Sequence, residues 1–171
     1  MKKIKFYNII FYIILVILIF LFIKNKIPRY ISDSKLKDSP EINFSFEDIN
    51  GVVYDSGEYK DKNVLLVFWA SYCAPCKMEA PIINSIYKDY KDQITVVSIN
   101  SLEKRDVVIK AINELNITYP VVLDEKGKIS SKFEVNSLPT IYFIKNNKVA
   151  KVSRGFSIFL KSEVKKIYGL K

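Results

Sequence analysis

Histidine is absent from this chain of 171 residues, and cysteine occurs only twice. That leaves no ligand set for a zinc centre, which draws on cysteine, histidine and carboxylate and usually takes four ligands. A copper-delivery site lacks its third ligand for the same reason. No nucleotide- or flavin-binding motif is present, so any electrons the chain handles come from another molecule. Residues 30–171 carry no block of a single charge sign. Of the net charge of +9, six units belong to Lys2, Lys3, Lys5, Lys24, Lys26 and Arg29, and the first 29 residues hold no acid. Nucleic-acid binding needs a basic face on the folded domain, and nothing here argues for one.

What is present is concentrated in one stretch, Trp69-Ala70-Ser71-Tyr72-Cys73-Ala74-Pro75-Cys76-Lys77-Met78-Glu79-Ala80-Pro81. Before it, residues 64–68 are apolar, β-branched and aromatic, the composition of a short buried strand. After it, residues 79–90 place Ile82, Ile83, Ile86 and Tyr87 at helical spacing. Both sulfurs therefore fall where a strand ends and a helix begins. The first turn of a helix offers unpaired N–H groups and the positive end of the macrodipole, which favour a thiolate. The thiolate is the attacking species in disulfide exchange. With two residues between them, the sulfurs can close a small ring within one helical turn. Pro75 costs no hydrogen bond at such a place. The competing reading is a structural disulfide, although so short a loop removes little unfolded-state entropy. Redox chemistry is the better reading.

Residues 6–23 are apolar apart from Asn8 and the tyrosines, with basic residues on both sides. As a helix they would be about 27 Å long, near the thickness of a bilayer's hydrocarbon core. A cleavable signal peptide competes, but its apolar core is usually about 7–15 residues and ends in small residues. Here the run ends in Phe20-Leu21-Phe22-Ile23-Lys24. An uncleaved, single-span signal-anchor over residues 1–26 is expected. The basic residues on its two sides do not decide its orientation. Residues 27–40, with Pro28, Ser32, Ser34, Ser39 and Pro40, read as a linker.

A globular domain is expected over residues 41–171. Residues 42–46 alternate like a strand, and Asn50-Gly51 reads as a turn into Val52-Val53-Tyr54. Pro81 should kink or restart the helix after the cysteines. Residues 94–99 read as the next strand. Asn100 or Ser101 could cap a helix over about 103–115, whose apolar face is Val107, Val108, Ala111, Ile112 and Leu115. Residues 119–123 form a further strand, closed by a turn at 124–127, and 129–133 a short helix. A hairpin with Asn146-Asn147 at its tip and a last helix over 157–168 follow, the latter showing Ile158, Phe159, Val164 and Ile167 on one face. Strands alternating with helices argue for an α/β domain with a mixed sheet.

The motif from Phe68 to Lys77 resembles the active site of thioredoxin-fold proteins. Glu79-Ala80-Pro81 after the second cysteine, an inserted helix and strand at about 103–123, and Leu138-Pro139-Thr140 before a hairpin resemble the membrane-anchored TlpA/ResA-like thiol–disulfide oxidoreductases. The likeness covers roughly residues 40–168. It implies a thioredoxin-like fold with an N-terminal β-hairpin and a central αβ insertion, preceded by one transmembrane helix. It implies that Cys73 is the exposed attacking thiol, Cys76 the buried resolving thiol and Glu79 an acid assisting proton transfer. Trp69, Leu138 and a cis Pro139 would serve substrate binding. From the residues alone, Pro139 is better read as a trans proline at a strand start and Glu79 as a solvated helical acid, and a core aromatic is the competing reading for Trp69. Thioredoxins proper carry a buried aspartate where this chain has Val67, so that proton acceptor is missing.

The resemblance further implies a redox cycle run by the Cys73–Cys76 pair without another cofactor, on disulfide-bearing exported proteins such as apocytochrome c. A transmembrane thiol carrier would supply the electrons. The expected place is the bacterial cell membrane, with the domain on the extracytoplasmic side. Ala74-Pro75 puts no histidine or charge between the cysteines, which inclines the expectation towards a reductant rather than a disulfide-introducing oxidant. A thioredoxin-like peroxidase would need its cysteine in a different, Thr/Pro-lined setting. A membrane-tethered binding module with a structural disulfide is the non-enzymatic alternative.

Overall fold

The structure, a computed structural model, describes Asn8, residues 10–21 and residues 42–171. It divides into two units, Met1–Asp38 and Ser39–Lys171. In the first, residues 10–21 are helical and exposed along their length. Among the described residues no helix is long and apolar enough to cross a membrane. The expected transmembrane helix over 6–23 is thus not supported by the described residues, and its two ends lie outside them, as does the linker at 27–40.

The second unit opens with a two-stranded hairpin, β1 (Ser45–Glu47) antiparallel to β2 (Val53–Asp55). Its turn works as expected: Gly51 takes φ +85°, and Asp48 Oδ1 accepts from the N–H groups of Asn50 and Val52 at 2.8 and 3.0 Å. The main sheet has five strands in the order β5-β4-β3-β6-β7. These are β3 (Asn63–Trp69), β4 (Ile94–Ser101), β5 (Val121–Asp124), β6 (Thr140–Lys145) and β7 (Lys148–Arg154). β4 lies parallel to both β3 and β5, whereas β6 is antiparallel to β3 and β7. The mixed α/β sheet, the N-terminal hairpin and the inserted αβ unit are all as expected.

Four helices pack on this sheet: α1 (Ala74–Tyr90), α2 (Arg105–Glu114), α3 (Lys128–Lys132) and α4 (Leu160–Tyr168). Central strand β3 is covered on both faces, which is why its sequence is an unbroken apolar run. Leu65, Val67 and Trp69 join a core with Ile83 and Ile86 of α1, Val108 of α2 and Leu160, Val164 and Tyr168 of α4. Phe68, pointing to the opposite face, packs on Phe133 and Tyr142, and Phe133 in turn meets Phe46 of the hairpin. The Tyr168 hydroxyl donates to the Val64 carbonyl at 2.7 Å, tying the last helix to β3.

Several expectations need correction. α1 begins at Ala74 and runs through Pro81 without a restart. Asn100 and Ser101 end β4 rather than cap α2, which starts after Lys104 with no side-chain cap. Val107 is exposed; Val108 and Ala111 are the buried residues of α2, and Ile112 and Leu115 pack against the core half-buried. Ile158 and Phe159 precede α4 and are exposed; the buried stripe of that helix is Leu160, Val164 and Tyr168. Asn146 and Asn147 form the β6–β7 turn with φ +51° and +58°, the backbone that a two-residue hairpin of the primed kind demands.

Candidate active site

β3 ends at Trp69 and α1 starts at Ala74, so the intervening loop delivers Cys73 as the N-cap residue of α1. Cys73 and Cys76 form a disulfide with Cα atoms 5.2 Å apart. Cys73 Sγ accepts a hydrogen bond from the Cys76 N–H at 3.2 Å. It therefore sits among the unpaired N–H groups of the first turn, where the helix field favours negative charge. Pro75 lies in that same turn, where its missing N–H costs nothing.

The expected contrast of an exposed Cys73 and a buried Cys76 is only partly present. Cys73 is 8% exposed and Cys76 4%, so both are buried in this disulfide form. What separates them is access. Cys73 lines a cavity of about 460 Å³ together with Tyr72, Leu102, Val135 and Leu138, and Cys76 does not. Ser101, Ser130, Asn136 and Ser137 complete the lining.

The peptide bond between Leu138 and Pro139 is cis. Leu138 lines the cavity while Pro139 is buried behind it, its carbonyl accepting from the Gly155 N–H at 2.8 Å. Trp69 belongs to the core cluster that holds both cysteines, and its indole N–H donates to the Ser98 hydroxyl at 3.3 Å. It does not line the cavity. Val67, where an aspartate would stand in thioredoxins proper, is buried in β3.

Glu79 follows Cys76 by three residues and so shares its helix face. It is not a solvated helical acid: it is 1% exposed. Burial pushes its carboxyl up to about 7, a hydrogen bond from the Ser157 N–H pulls the other way, and the charge of Glu163 adds to the rise. The Tyr119 phenol nearby is itself pushed up by burial and by the Glu79 charge.

One residue of the site was missed from sequence. Glu103, at the start of the αβ insertion, reaches back to the cysteine loop. Its Oε2 accepts from the Ser71 N–H at 2.6 Å and from the Asn100 amide at 2.8 Å, and its Oε1 accepts from the Ser71 hydroxyl. Ser71 lies two residues before Cys73, so the insertion directly braces the loop that carries Cys73. The only sequence signal was an acid just past the end of β4. Among the described residues no cluster could hold a metal ion.

A parallel–antiparallel sheet with a cysteine pair at the head of its first long helix, facing a cis-proline loop, defines a thioredoxin-like thiol–disulfide oxidoreductase. Comparison with known proteins agrees. Residues 38–152 match the AhpC/TSA family model, and the chain belongs to that family. It is 36% identical over 126 residues to the thiol–disulfide oxidoreductase ResA of Bacillus subtilis (strain 168), covering 72% of this chain and 69% of that protein. It is also 36% identical over 104 residues to the thioredoxin-like protein YneN of the same organism, covering 59% of this chain and 61% of YneN. Among solved structures it resembles StoA from Bacillus subtilis, with a TM-score of 0.65 and 26% identity, over 75% of this chain and 98% of StoA. The exposed lipoprotein thioredoxin Etrx1 of Streptococcus pneumoniae strain TIGR4 gives a TM-score of 0.66 and 28% identity over 75% and 98% of the two chains. The chain is an enzyme of the thiol–disulfide oxidoreductase class.

Proposed function

We propose that this enzyme reduces protein disulfides on the outer side of the bacterial cytoplasmic membrane. The observation that carries the reading is the unequal placement of the two sulfurs. Cys73 stands on the cavity wall beside Leu138, and Cys76 lies behind it on the helix face that also carries Glu79. An incoming disulfide meets Cys73 first.

In the reduced enzyme the Cys73 thiolate attacks one sulfur of the substrate disulfide and releases the other as a thiolate. Cys76 then loses its proton to Glu79 and attacks Cys73 Sγ, breaking the mixed disulfide. The substrate leaves as a dithiol with two more electrons, and the enzyme is left with its Cys73–Cys76 bond. A buried carboxyl poised near neutral pH suits this proton transfer. Leu138 and Pro139 support an extended substrate segment, and Trp69 backs the loop from the core.

The dithiol is the only redox group this cycle needs, so its electrons return from another dithiol. A transmembrane thiol carrier is the donor that fits, and exported proteins such as apocytochrome c are the substrates implied by the family resemblance. The anchor reading rests on the apolar run at 6–23 of the sequence with its basic flanks. A reductant working in an oxidising space gains from being held beside its donor.

The test is the equilibrium reduction potential of the full-length chain, titrated against dithiothreitol or glutathione. A reductant is expected near or below about −230 mV, whereas a value towards about −120 mV would make the enzyme an oxidant. Absence of any reversible transition would return the cysteines to a structural role.

A further inference from the structure

We propose that Leu102 is a specificity-determining residue for exchange at Cys73, selecting substrates that carry an apolar residue beside the reacting cysteine. This rests on the function proposed above. Leu102 follows β4 directly and takes φ +64°. In that region the Cβ crowds the following carbonyl, and glycine or asparagine is the usual occupant. Leucine is neither.

The strained backbone is fixed in place. The Leu102 N–H donates to the Asp124 carbonyl at 3.0 Å. Asp124 is itself held, since its carboxylate accepts from the N–H groups of Ile129 and Ser130 at 3.1 and 2.7 Å. The side chain lies against Gly127, where an added Cβ would stand 2.7 Å from Leu102 Cδ2. Gly127 therefore meets two demands, its own φ of +67° and clearance for Leu102.

None of this buries the leucine. It remains 63% exposed and lines the cavity with Cys73, Tyr72 and Leu138. A residue of the core would be covered, and a residue chosen for the turn would be glycine or asparagine. A strained, well-fixed and exposed apolar side chain beside the attacking sulfur has a functional explanation: strain persists where the surrounding structure imposes it, and such positions gather at binding sites.

The test uses the full-length protein, reduced beforehand and freed of reductant, in single-turnover reactions. Two synthetic peptides serve as probes, each with one intrachain disulfide and differing only in Phe or Ser before the first cysteine. Each turnover moves two electrons from the Cys73/Cys76 dithiol to the peptide disulfide. Wild type is expected to reduce the Phe peptide about tenfold faster, the discrimination typical of one apolar contact in a pocket. Leu102→Gly and Leu102→Asn both tolerate the backbone, and both should bring the ratio close to one, while Leu102→Met retains it. Thermal unfolding midpoints no lower than wild type in the Gly and Asn variants separate a lost wall from a lost fold. A wild-type ratio near one, or a ratio that survives in both variants, overturns the proposal. If wild type reduces neither peptide, the reductant reading falls and this inference with it.

Discussion

Glu79 and Ser157 are 78 residues apart in sequence, yet the Ser157 N–H donates to Glu79 Oε1 at 3.1 Å. The second oxygen, Oε2, is buried with no hydrogen-bond partner among the described residues. A single backbone donor does not replace the water that burial removes, which is why the carboxyl rises from its ordinary 4.5 to about 7.

This raised value ties stability to pH. Between about 4.5 and 7 the folded protein keeps a proton that the unfolded chain has released, so stability falls as pH rises across that window and levels off above it. The loss by pH 8 is on the order of 3 kcal/mol. In Glu79→Gln this slope should disappear, as read by urea unfolding of the oxidised protein across pH 4–8.

The same carboxyl should leave its mark on the chemistry. Removing a base poised near neutral pH slows the resolving step by a factor of about 10²–10⁴ where proton transfer limits it. The pH profile of thiol reactivity in Glu79→Gln should therefore lose an inflection near 7. An alkylation titration identical to wild type would remove Glu79 from the proton path.

The order of attack can be caught covalently. With Cys76→Ser the mixed disulfide cannot be resolved, so an adduct should accumulate on Cys73 and be visible by mass spectrometry under non-reducing conditions. With Cys73→Ser no comparable adduct is expected, because Cys76 does not line the cavity. Equal trapping by both variants would reverse the assigned roles.

Glu103 should matter to the fold of the cysteine loop. Glu103→Ala leaves the Ser71 N–H and hydroxyl and the Asn100 amide without their acceptor. Hydrogen bonds to a charged group contribute about 1.5–3 kcal/mol each, and water replaces part of that at this half-buried place. A loss of about 1–3 kcal/mol in urea unfolding is expected, with faster alkylation of the reduced Cys73 as the loop loosens.

The parts of this molecule that sequence revealed are those set by local pattern. The run at 64–68 reads as a buried strand, and the cysteine pair with Pro75 marks the head of a helix. Asn50-Gly51 and Asn146-Asn147 announced turns through their tolerance of positive φ. Boundaries were less legible: the apolar period of α1 shows only from Ile82, because the first turns from Ala74 carry little apolar content, and it was the cysteine pair alone that placed the helix start. Ile158 and Phe159 looked like core residues because hydrophobicity does not say which side chains the sheet has room for. The brace between Glu103 and Ser71 spans 32 residues, and no periodicity reports a contact of that kind. The burial of Glu79 was equally hidden, since a glutamate in a helix is usually on the wet side.

The hairpin β1–β2 has one more effect, on the company this enzyme can keep. Asp48 bridges Val122, and the Ile49 N–H donates to the Val121 carbonyl at 2.9 Å, so the outer rim of β5 is occupied by the protein's own backbone. At the opposite rim β7 carries Lys148 and Lys151, and lysine on an edge strand discourages a foreign strand from pairing there. A polypeptide open enough to offer its disulfide is also open enough to zip onto any free sheet edge and stay. With one rim filled and a lysine-bearing strand at the other, neither edge of the sheet offers a bare template, and an open polypeptide brought to Cys73 finds no strand edge to zip onto.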